Sequence, residues 1–390
     1  MTDTGEIPGL KRRFSLYFGA LFFAVGIQMP FFPLFLSGRG LEAAEIGLVL
    51  AIGQWIRVGA NPIIAQIADR RGDRRRPLNL LIVGATLAFA LYGWSHSFAA
   101  IIAVAMLFSL FMAPVMPLGD NLAMLAAGRS GMDYGRVRLW GSVTFIFGSM
   151  GAGWVLDGRS SELVWVMVLA AFAVAAAVSF LLPDIRAPKA KGSVFGPFRL
   201  LRHPLFVLFL VASAANMASH AVLFAFGTLH WRSLGHSDFQ IGILWALATV
   251  AEIVFFVLSR RLVARFTAPT LLAMALAAGA LRWLMTAWVT HVVGLMAVQA
   301  LHAFTFAAAH LGAMHFLTRS APPEYSASAQ SLNAAIGGGA AMGIGLMASG
   351  VLYGNLGGDA FLVMAAISAV GFVAALWLGR HWDGGPLAIG

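Results

Sequence analysis

The chain has 390 residues and a formal net charge of +10. It is 60% hydrophobic and 11% charged, whereas a typical soluble domain is roughly 25% charged. This composition excludes a soluble globular domain, and the absence of cysteine excludes disulfides, thiolate metal sites and a cysteine nucleophile.

Apolar residues fall in long blocks, and a block of about 20 such residues crosses a bilayer as a helix. The first block contains Pro30 and Pro33 and is too long for a signal peptide, so we expect an uncleaved span. The sequence therefore predicts an all-α integral membrane protein of twelve transmembrane helices. The predicted spans are 14–36, 43–66, 78–95, 98–126, 137–156, 162–182, 205–229, 239–259, 269–288, 292–316, 326–352 and 359–379.

Basic residues are concentrated in the loops on one side of the predicted membrane. If the N-terminus is cytoplasmic, the other side holds only Arg39, Arg159 and Arg232 among the loop arginines and lysines. This asymmetry predicts a multi-pass membrane protein with both termini in the cytoplasm. The expected location is the bacterial cytoplasmic (inner) membrane. Anionic lipid beside the basic face accounts for the net charge, so we expect no nucleic-acid partner.

The second span carries a polar stripe. Gln54, Arg57 and Asn61 stand at i, i+3 and i+7, which places them on one side of a helix. A charge at the membrane centre costs roughly 3 kcal/mol on insertion scales, so Arg57 is expected to face a cavity or a partner. Its planar fork of donors suits a carboxylate substrate, and the alternative is a permanent ion pair that holds helices together.

The loop after the second span reads ADRRGDRRRP. Its spacing resembles the G-x-x-x-D-R-x-G-R-R signature of the major facilitator superfamily of transporters. A carboxylate at a helix end, arginines and a turn glycine can lock neighbouring helix ends in one state and release them in another. The resemblance implies a cytoplasmic gate, and the alternative is an ordinary charged loop. The gate residues assigned here are Asp69, Arg70, Gly72 and Arg74.

The fifth span opens on DYGRVRLWGSVTFIFGSMGAG. Asp133, Arg136 and Arg138 lie where a cytoplasmic loop enters this span, and ion pairs to adjoining loops would extend the gate. The alternative is ordinary topological anchoring. Farther along, close approach of another helix backbone is predicted by four glycines, Gly141, Gly148, Gly151 and Gly153.

A basic segment divides the chain into two similar parts. The stretch EIGLVLAIGQWIRV, from Glu45, aligns with QIGILWALATVAEI, from Gln240. In this alignment Arg57 occupies the position that corresponds to Glu252. Many transporters are built from such duplicated halves. The predicted organisation is an N-terminal six-helix half at 1–183, a cytoplasmic linker at 184–204 and a C-terminal six-helix half at 205–390.

The remaining candidates are polar or aromatic groups inside predicted spans. Burial favours the protonated form of a carboxyl group, and histidine titrates near neutral pH, so both types can carry a coupled proton. Fixed ion pairs or structural hydrogen bonds are the alternatives. The proton-coupling candidates are Asp120, Glu252, His310 and His302. Further substrate-binding candidates are Arg282, His220, Trp245 and Phe306.

Several of these stretches together resemble the phenylpropionate permease family. They are the opening of the fifth span, MPLGDNLAM at Asp120, VAEIVFF at Glu252 and HLGAMHF at His310. The resemblance extends from about Phe14 to the last span, and it implies a major facilitator fold of two six-helix halves. It also implies proton-coupled import of 3-phenylpropionate or a similar aromatic carboxylate by alternating access. More distantly the chain is similar to lactose permease and nucleoside proton symporters, so sugar or nucleoside symport and drug export stay open.

The sequence does not favour an enzyme. Its histidines lack a compact ligand motif, and it has no Walker or dinucleotide-binding loop. We expect neither a cofactor nor a metal. The expected partners are a small organic anion, protons and the lipid bilayer, and the protein is expected to function as a monomer.

Overall fold

The computed structural model describes residues 9–186, 197–263, 265–322 and 325–387. Within these ranges the side chains at 62, 65, 68–71, 197–199, 260–263 and 327 are outside the description. The side chains of the predicted gate residues Asp69 and Arg70 therefore lie outside the described residues, as do residues 187–196 of the predicted linker. The described chain is helical and contains no strand.

Eleven helical runs in the described residues are long and apolar enough to cross a membrane. The last, Ser328–His381, has 54 residues, or about 80 Å of helix against a hydrocarbon core of about 30 Å. It is divided at Gly357, where φ of 55° and ψ of −130° end one helix before the next begins. The described residues therefore form twelve long helices, and the predicted fold class is confirmed.

The helices are numbered α1 to α12 in chain order. The first six are α1, Leu10–Gly38; α2, Ala43–Arg71; α3, Arg75–Ala90; α4, Phe98–Met112 with Val115–Ser130; α5, Tyr134–Leu156; and α6, Glu162–Ser179. The next four are α7, Pro204–Ala218 with Ala221–Ser233; α8, Asp238–Val263; α9, Ala268–Trp288; and α10, Val292–Ala300, Ala303–Ala308 and Ala309–Ser320. The last two are α11, Ser326–Asn333, Ala334–Ala341 and Met342–Leu356; and α12, Ala360–His381.

Polar side chains begin several of these helices. Asp133 caps α5, because its Oδ1 accepts a hydrogen bond from the backbone nitrogen of Arg136 at 3.1 Å. Ser97 caps α4 in the same way, through the backbone nitrogen of Ala100 at 3.3 Å. These contacts satisfy N–H groups that have no partner inside the helix, and so they fix where each helix starts.

The described residues divide into two compact units. The first contains residues 9–41, 55–186 and 237–246, and in it α1 packs against both α5 and α6. A Cβ atom at Gly148 would lie 2.6 Å from the carbonyl oxygen of Phe23, so glycine is required where α5 meets α1. The close helix approach predicted from the glycines of α5 is confirmed at this position, but it was wrong for Gly151, where a Cβ atom would meet open space.

The second unit contains residues 42–54, 197–236, 247–263, 265–322 and 325–387. Its core lies among α7, α9, α10 and α12, where the rings of Phe209 and Phe316 stack with centroids 4.4 Å apart. The compact units divide α2 and α8 within their lengths. The division into halves at the linker therefore stays a prediction.

Candidate functional site

Arg282 is fully buried in the middle of α9, within the second unit. Its Nη2 donates to Gln299 Oε1 at 2.8 Å. Its Nη1 donates to Thr305 Oγ1 at 3.0 Å and to His302 Nδ1 at 3.0 Å. The guanidinium also lies 4.7 Å from the ring centroid of Trp283. A charge in the membrane interior is thus held by neutral acceptors and an aromatic face.

The contact with Arg282 determines the protonation of His302. Arginine nitrogens only donate, so His302 Nδ1 must accept, and the neutral ring carries its proton on Nε2. That Nε2 lies 3.9 Å from Glu252 Oε2 of α8. The opposite arrangement, a proton on Nδ1, would set two donors against each other. His302 therefore presents its N–H towards a carboxylate while Arg282 occupies its other nitrogen.

Thr305 connects this arrangement to α7. Its hydroxyl oxygen accepts from Arg282 and lies 3.2 Å from Nε2 of the buried His220. Nδ1 of His220 donates to the Asn216 carbonyl at 2.8 Å, which leaves Nε2 free to accept the Thr305 hydroxyl proton. The result is one directed chain of hydrogen bonds. We call Arg282, Gln299, His302, Thr305, His220 and Glu252 the Arg282 cluster.

Two residues of this cluster, Thr305 and Gln299 of α10, were not selected as site residues from the sequence. The segment Ala303–Ala308 is a π-helix, and such turns are frequent at functional sites. It contains Thr305, which sequence reasoning did not select although it stands three residues after His302. Gln299 was also missed as a site residue. A polar side chain spaced three residues from a buried histidine is the signal that could have found both.

A second cluster lies in the first unit. Asp120 Oδ1 accepts the Tyr134 hydroxyl at 3.0 Å and lies 3.5 Å from Arg138 Nε. The Arg138 guanidinium sits 3.9 Å from the ring centroid of Phe22. The side chains of Asp120 and Arg138 are 27% and 28% exposed. A proton-coupling candidate and a gate candidate are thus paired, and with Tyr134 they form what we call the Asp120 cluster.

The loop between α2 and α3 is held by α4. Gly72 has a φ of 68°, the left-handed conformation that a tight turn requires. Arg74 is buried, and its Nε donates to Asn121 Oδ1, one residue beyond Asp120. Asp73 accepts from the backbone nitrogen of Arg76 at 3.2 Å. Asn121, which the sequence analysis did not select, therefore connects this loop to the helix of the Asp120 cluster.

Asp133 and Arg136 contact each other at the start of α5. Arg136 Nε lies 3.4 Å from Asp133 Oδ2, and the two side chains are 88% and 58% exposed respectively. Together with the cap contact, this gives Asp133 a local role in starting the helix. Their assignment to a gate stays a prediction.

Arg57 is exposed at the midpoint of α2. It forms no hydrogen bond or ion pair with the residues that the structure describes. In the same stripe, Gln54 Oε1 and Asn61 Oδ1 are buried and have no hydrogen-bond partner within the described part of the chain. Of the two arginines among the substrate-binding candidates, Arg57 thus has a charge that no described residue pairs, whereas Arg282 is enclosed.

The remaining candidates are arranged differently. Phe306 stacks on the ring of His302 with centroids 5.4 Å apart and an interplanar angle of 27°. Trp245 is buried in α8. His310 is exposed and packs edge-on against Phe256, with centroids 6.3 Å apart, and no contact joins it to the Arg282 cluster in the described residues.

Comparison with known proteins indicates one family. The profile of the MFS_1 like family matches residues 11–363. A probable 3-phenylpropionic acid transporter of Escherichia coli (strain K12) is 32% identical over 368 residues, which cover 92% of this chain and 95% of that protein. The maltose permease of Geobacillus stearothermophilus is 27% identical, with 95% of each chain covered.

Solved structures share the fold. The nucleoside transporter NupG superimposes with a TM-score of 0.84 at 17% identity, over 96% of this chain and 100% of that one. A bacterial homologue of the human lysosomal transporter Spinster, inward-facing and unoccupied, gives a TM-score of 0.73 at 16% identity, over 96% and 98%. At these identities the likeness concerns the fold alone.

Proposed function

Because the chain belongs to the MFS_1 like family and is a multi-pass membrane transporter, we propose that it imports 3-phenylpropionate or a similar aromatic carboxylate together with protons. The observation that supports this substrate is the identity, over almost the whole chain, to the probable 3-phenylpropionic acid transporter. The proposed location is the bacterial cytoplasmic membrane, with both termini in the cytoplasm.

Arg57 is the proposed carboxylate-binding residue. Arg57 is an exposed residue at the midpoint of a spanning helix, and the amide side chains of Gln54 and Asn61 lie one turn to either side. A planar fork of donors matches a carboxylate in two parallel hydrogen bonds. Arg282 is fully enclosed and its Nη atoms are engaged. Its proposed role is to position His302 rather than to contact the substrate first.

Glu252 is the proposed proton carrier. It is the carboxylate nearest to His302, whose Nε2–H is oriented by Arg282. A proton on Glu252 removes a negative charge from the region, and the substrate carboxylate restores it. Charge in the membrane interior is then nearly the same in the loaded and empty carrier, which favours reorientation of those two states only. Asp120 is a second proposed coupling group, paired with Arg138.

An alternative substrate class follows from the maltose permease relative. A sugar would use amide groups such as those of Gln54 and Asn61 and would need no free cation. The charge of Arg57, which no described residue pairs, favours the carboxylate. Competition between the two substrate classes separates these proposals directly.

The test is uptake of labelled 3-phenylpropionate into proteoliposomes with an acidic exterior. We expect accumulation that a protonophore abolishes and that unlabelled aromatic carboxylates reduce by competition. Maltose and nucleosides are not expected to compete. Uptake independent of the pH gradient would contradict proton coupling. Competition by maltose alone would show that the substrate is a sugar rather than a carboxylate.

A pair of variants tests the binding residue. Arg57→Gln is expected to raise KM for the carboxylate by about tenfold, which corresponds to the loss of one charge-assisted interaction of about 1.4 kcal/mol. Arg159→Gln is the matched control, because Arg159 is exposed in the loop after α5. An unchanged KM in Arg57→Gln would exclude Arg57 as the carboxylate contact.

A further inference from the structure

The first unit has a groove that the proposed transport cycle does not use. It runs along α1 between α5 and α6 and has a volume of about 1070 Å³. Its walls are apolar, and several large side chains along it are exposed, among them Phe23, Trp140, Trp154 and Val174. All three helices span the membrane. Exposed apolar side chains on such helices are suited to contact with lipid.

The groove has the length and depth of an acyl-chain site. On α1 its lining runs from Arg12 to Ile27, about 22 Å of helix, which exceeds one hydrocarbon leaflet of about 15 Å. Gly19, Gly151 and Ala171 line it as well. Small residues there leave room for a chain between the larger side chains.

One end of the groove is cationic. Arg12 lines it, is exposed and forms no hydrogen bond with the residues that the structure describes. The next residue, Arg13, instead donates to the carbonyl of Leu181 at 3.4 Å. Arg12 therefore has its charge available at the membrane surface, where a basic residue gains about 1 kcal/mol from anionic lipid.

We propose that this groove binds an anionic phospholipid of the leaflet at which α1 begins. One acyl chain lies along α1 between α5 and α6, and the headgroup phosphate contacts Arg12. The charge of Arg12 selects an anionic over a zwitterionic lipid, while the apolar walls accept any chain. The bound lipid completes the packing of α1 where α5 and α6 separate.

The test is native mass spectrometry of the purified protein with phosphatidylglycerol or phosphatidylcholine. We expect the wild type to retain phosphatidylglycerol preferentially. Arg12→Gln is expected to lower that retention by about fivefold, the equivalent of about 1 kcal/mol. Lys11→Gln is the matched control: Lys11 is the neighbouring exposed cation and does not line the groove. Its retention is expected to equal that of the wild type.

A second variant tests the apolar part. A Cβ atom at Gly151 would meet open space, so Gly151→Leu is expected to extend into the groove and to reduce retention of both lipids. Gly128→Leu has the same open space outside the groove and is the control. The proposal is overturned if Arg12→Gln and Gly151→Leu retain lipid as the wild type does, if Lys11→Gln loses as much as Arg12→Gln, or if protein dimers replace the lipid adducts.

Discussion

The two polar clusters hold their arginines in different ways. Arg282 has no exposed surface and donates to three neutral acceptors. The Glu252 carboxylate faces His302, one of these acceptors, rather than Arg282 itself. Arg138 is about a quarter exposed and faces the Asp120 carboxylate directly. A buried charge depends on every acceptor around it, whereas a pair that is about a quarter exposed can exchange partners with water. The Arg282 cluster should therefore tolerate substitution far less than the Asp120 cluster.

The largest effect is expected from Arg282→Met. Loss of the guanidinium leaves Gln299, Thr305 and His302 without their hydrogen-bond donor. The expected loss of free energy is about 3 kcal/mol, which corresponds to a transport rate lower by roughly a hundredfold. Proteoliposome uptake and the thermal unfolding midpoint measure the two consequences. Arg282→Lys keeps the charge but not the fork, so it should recover stability only in part. Wild-type uptake in Arg282→Met would show that the cluster is not needed.

Glu252→Gln is expected to abolish gradient-driven accumulation while substrate exchange across the membrane continues. The amide is isosteric but cannot carry the proton, so coupling is lost and binding is kept. Accumulation under a pH gradient and counterflow without a gradient measure the two activities. If Glu252→Gln and Asp120→Asn both accumulate substrate fully, proton coupling resides elsewhere.

His302→Gln and His310→Gln separate two histidines that the sequence offers as proton-coupling candidates, of which the family resemblance favours His310. His302 is bound by Arg282 and faces Glu252, so its replacement should reduce accumulation by about tenfold, the equivalent of about 1.4 kcal/mol. His310 stands outside the cluster, and its replacement should have little effect. Uptake at several external pH values measures both. A larger effect at His310 would reverse the assignment.

Asp120→Asn and Arg138→Gln form a double-mutant cycle on the partly exposed pair. The coupling energy between them is expected to be about 1 kcal/mol, which is about fivefold in rate, and to fall at high salt. Uptake rates of the two single variants and the double variant measure it. A coupling energy of several kcal/mol would mean that the pair behaves as a buried one and that the contrast between the clusters is wrong.

Arg136→Gln should have the smallest effect, within about twofold of the wild-type rate, because its exposed contact with Asp133 is local to the start of α5. The measurement is initial uptake from either side of the membrane. Asp133→Asn keeps a capping side chain and serves as the control. A strong loss of uptake in Arg136→Gln, together with wild-type uptake in Asp133→Asn, would support a role in the gate rather than in capping α5.

Individual candidates show how far the sequence pattern reaches. Helical spacing placed Gln54, Arg57 and Asn61 on one side of α2, and glycine spacing predicted the close contact at Gly148, because both depend on residues within one helix. Spacing did not indicate that Asp120 would meet Arg138. That pairing depends on how two neighbouring helices are rotated and how far each is shifted along its axis.

The sequence by itself determined twelve spanning helices and many of their starts. Bilayer thickness fixes the length of an apolar block, and cap residues satisfy backbone groups locally. Only the tertiary structure decided that Arg282 meets Gln299, Thr305 and His302 while Arg57 has no polar partner among the described residues. An α-helix has one periodicity, but the π segment of α10 interrupts it. The acceptors that complete the network are neutral, so no pattern of charges in the sequence indicates them.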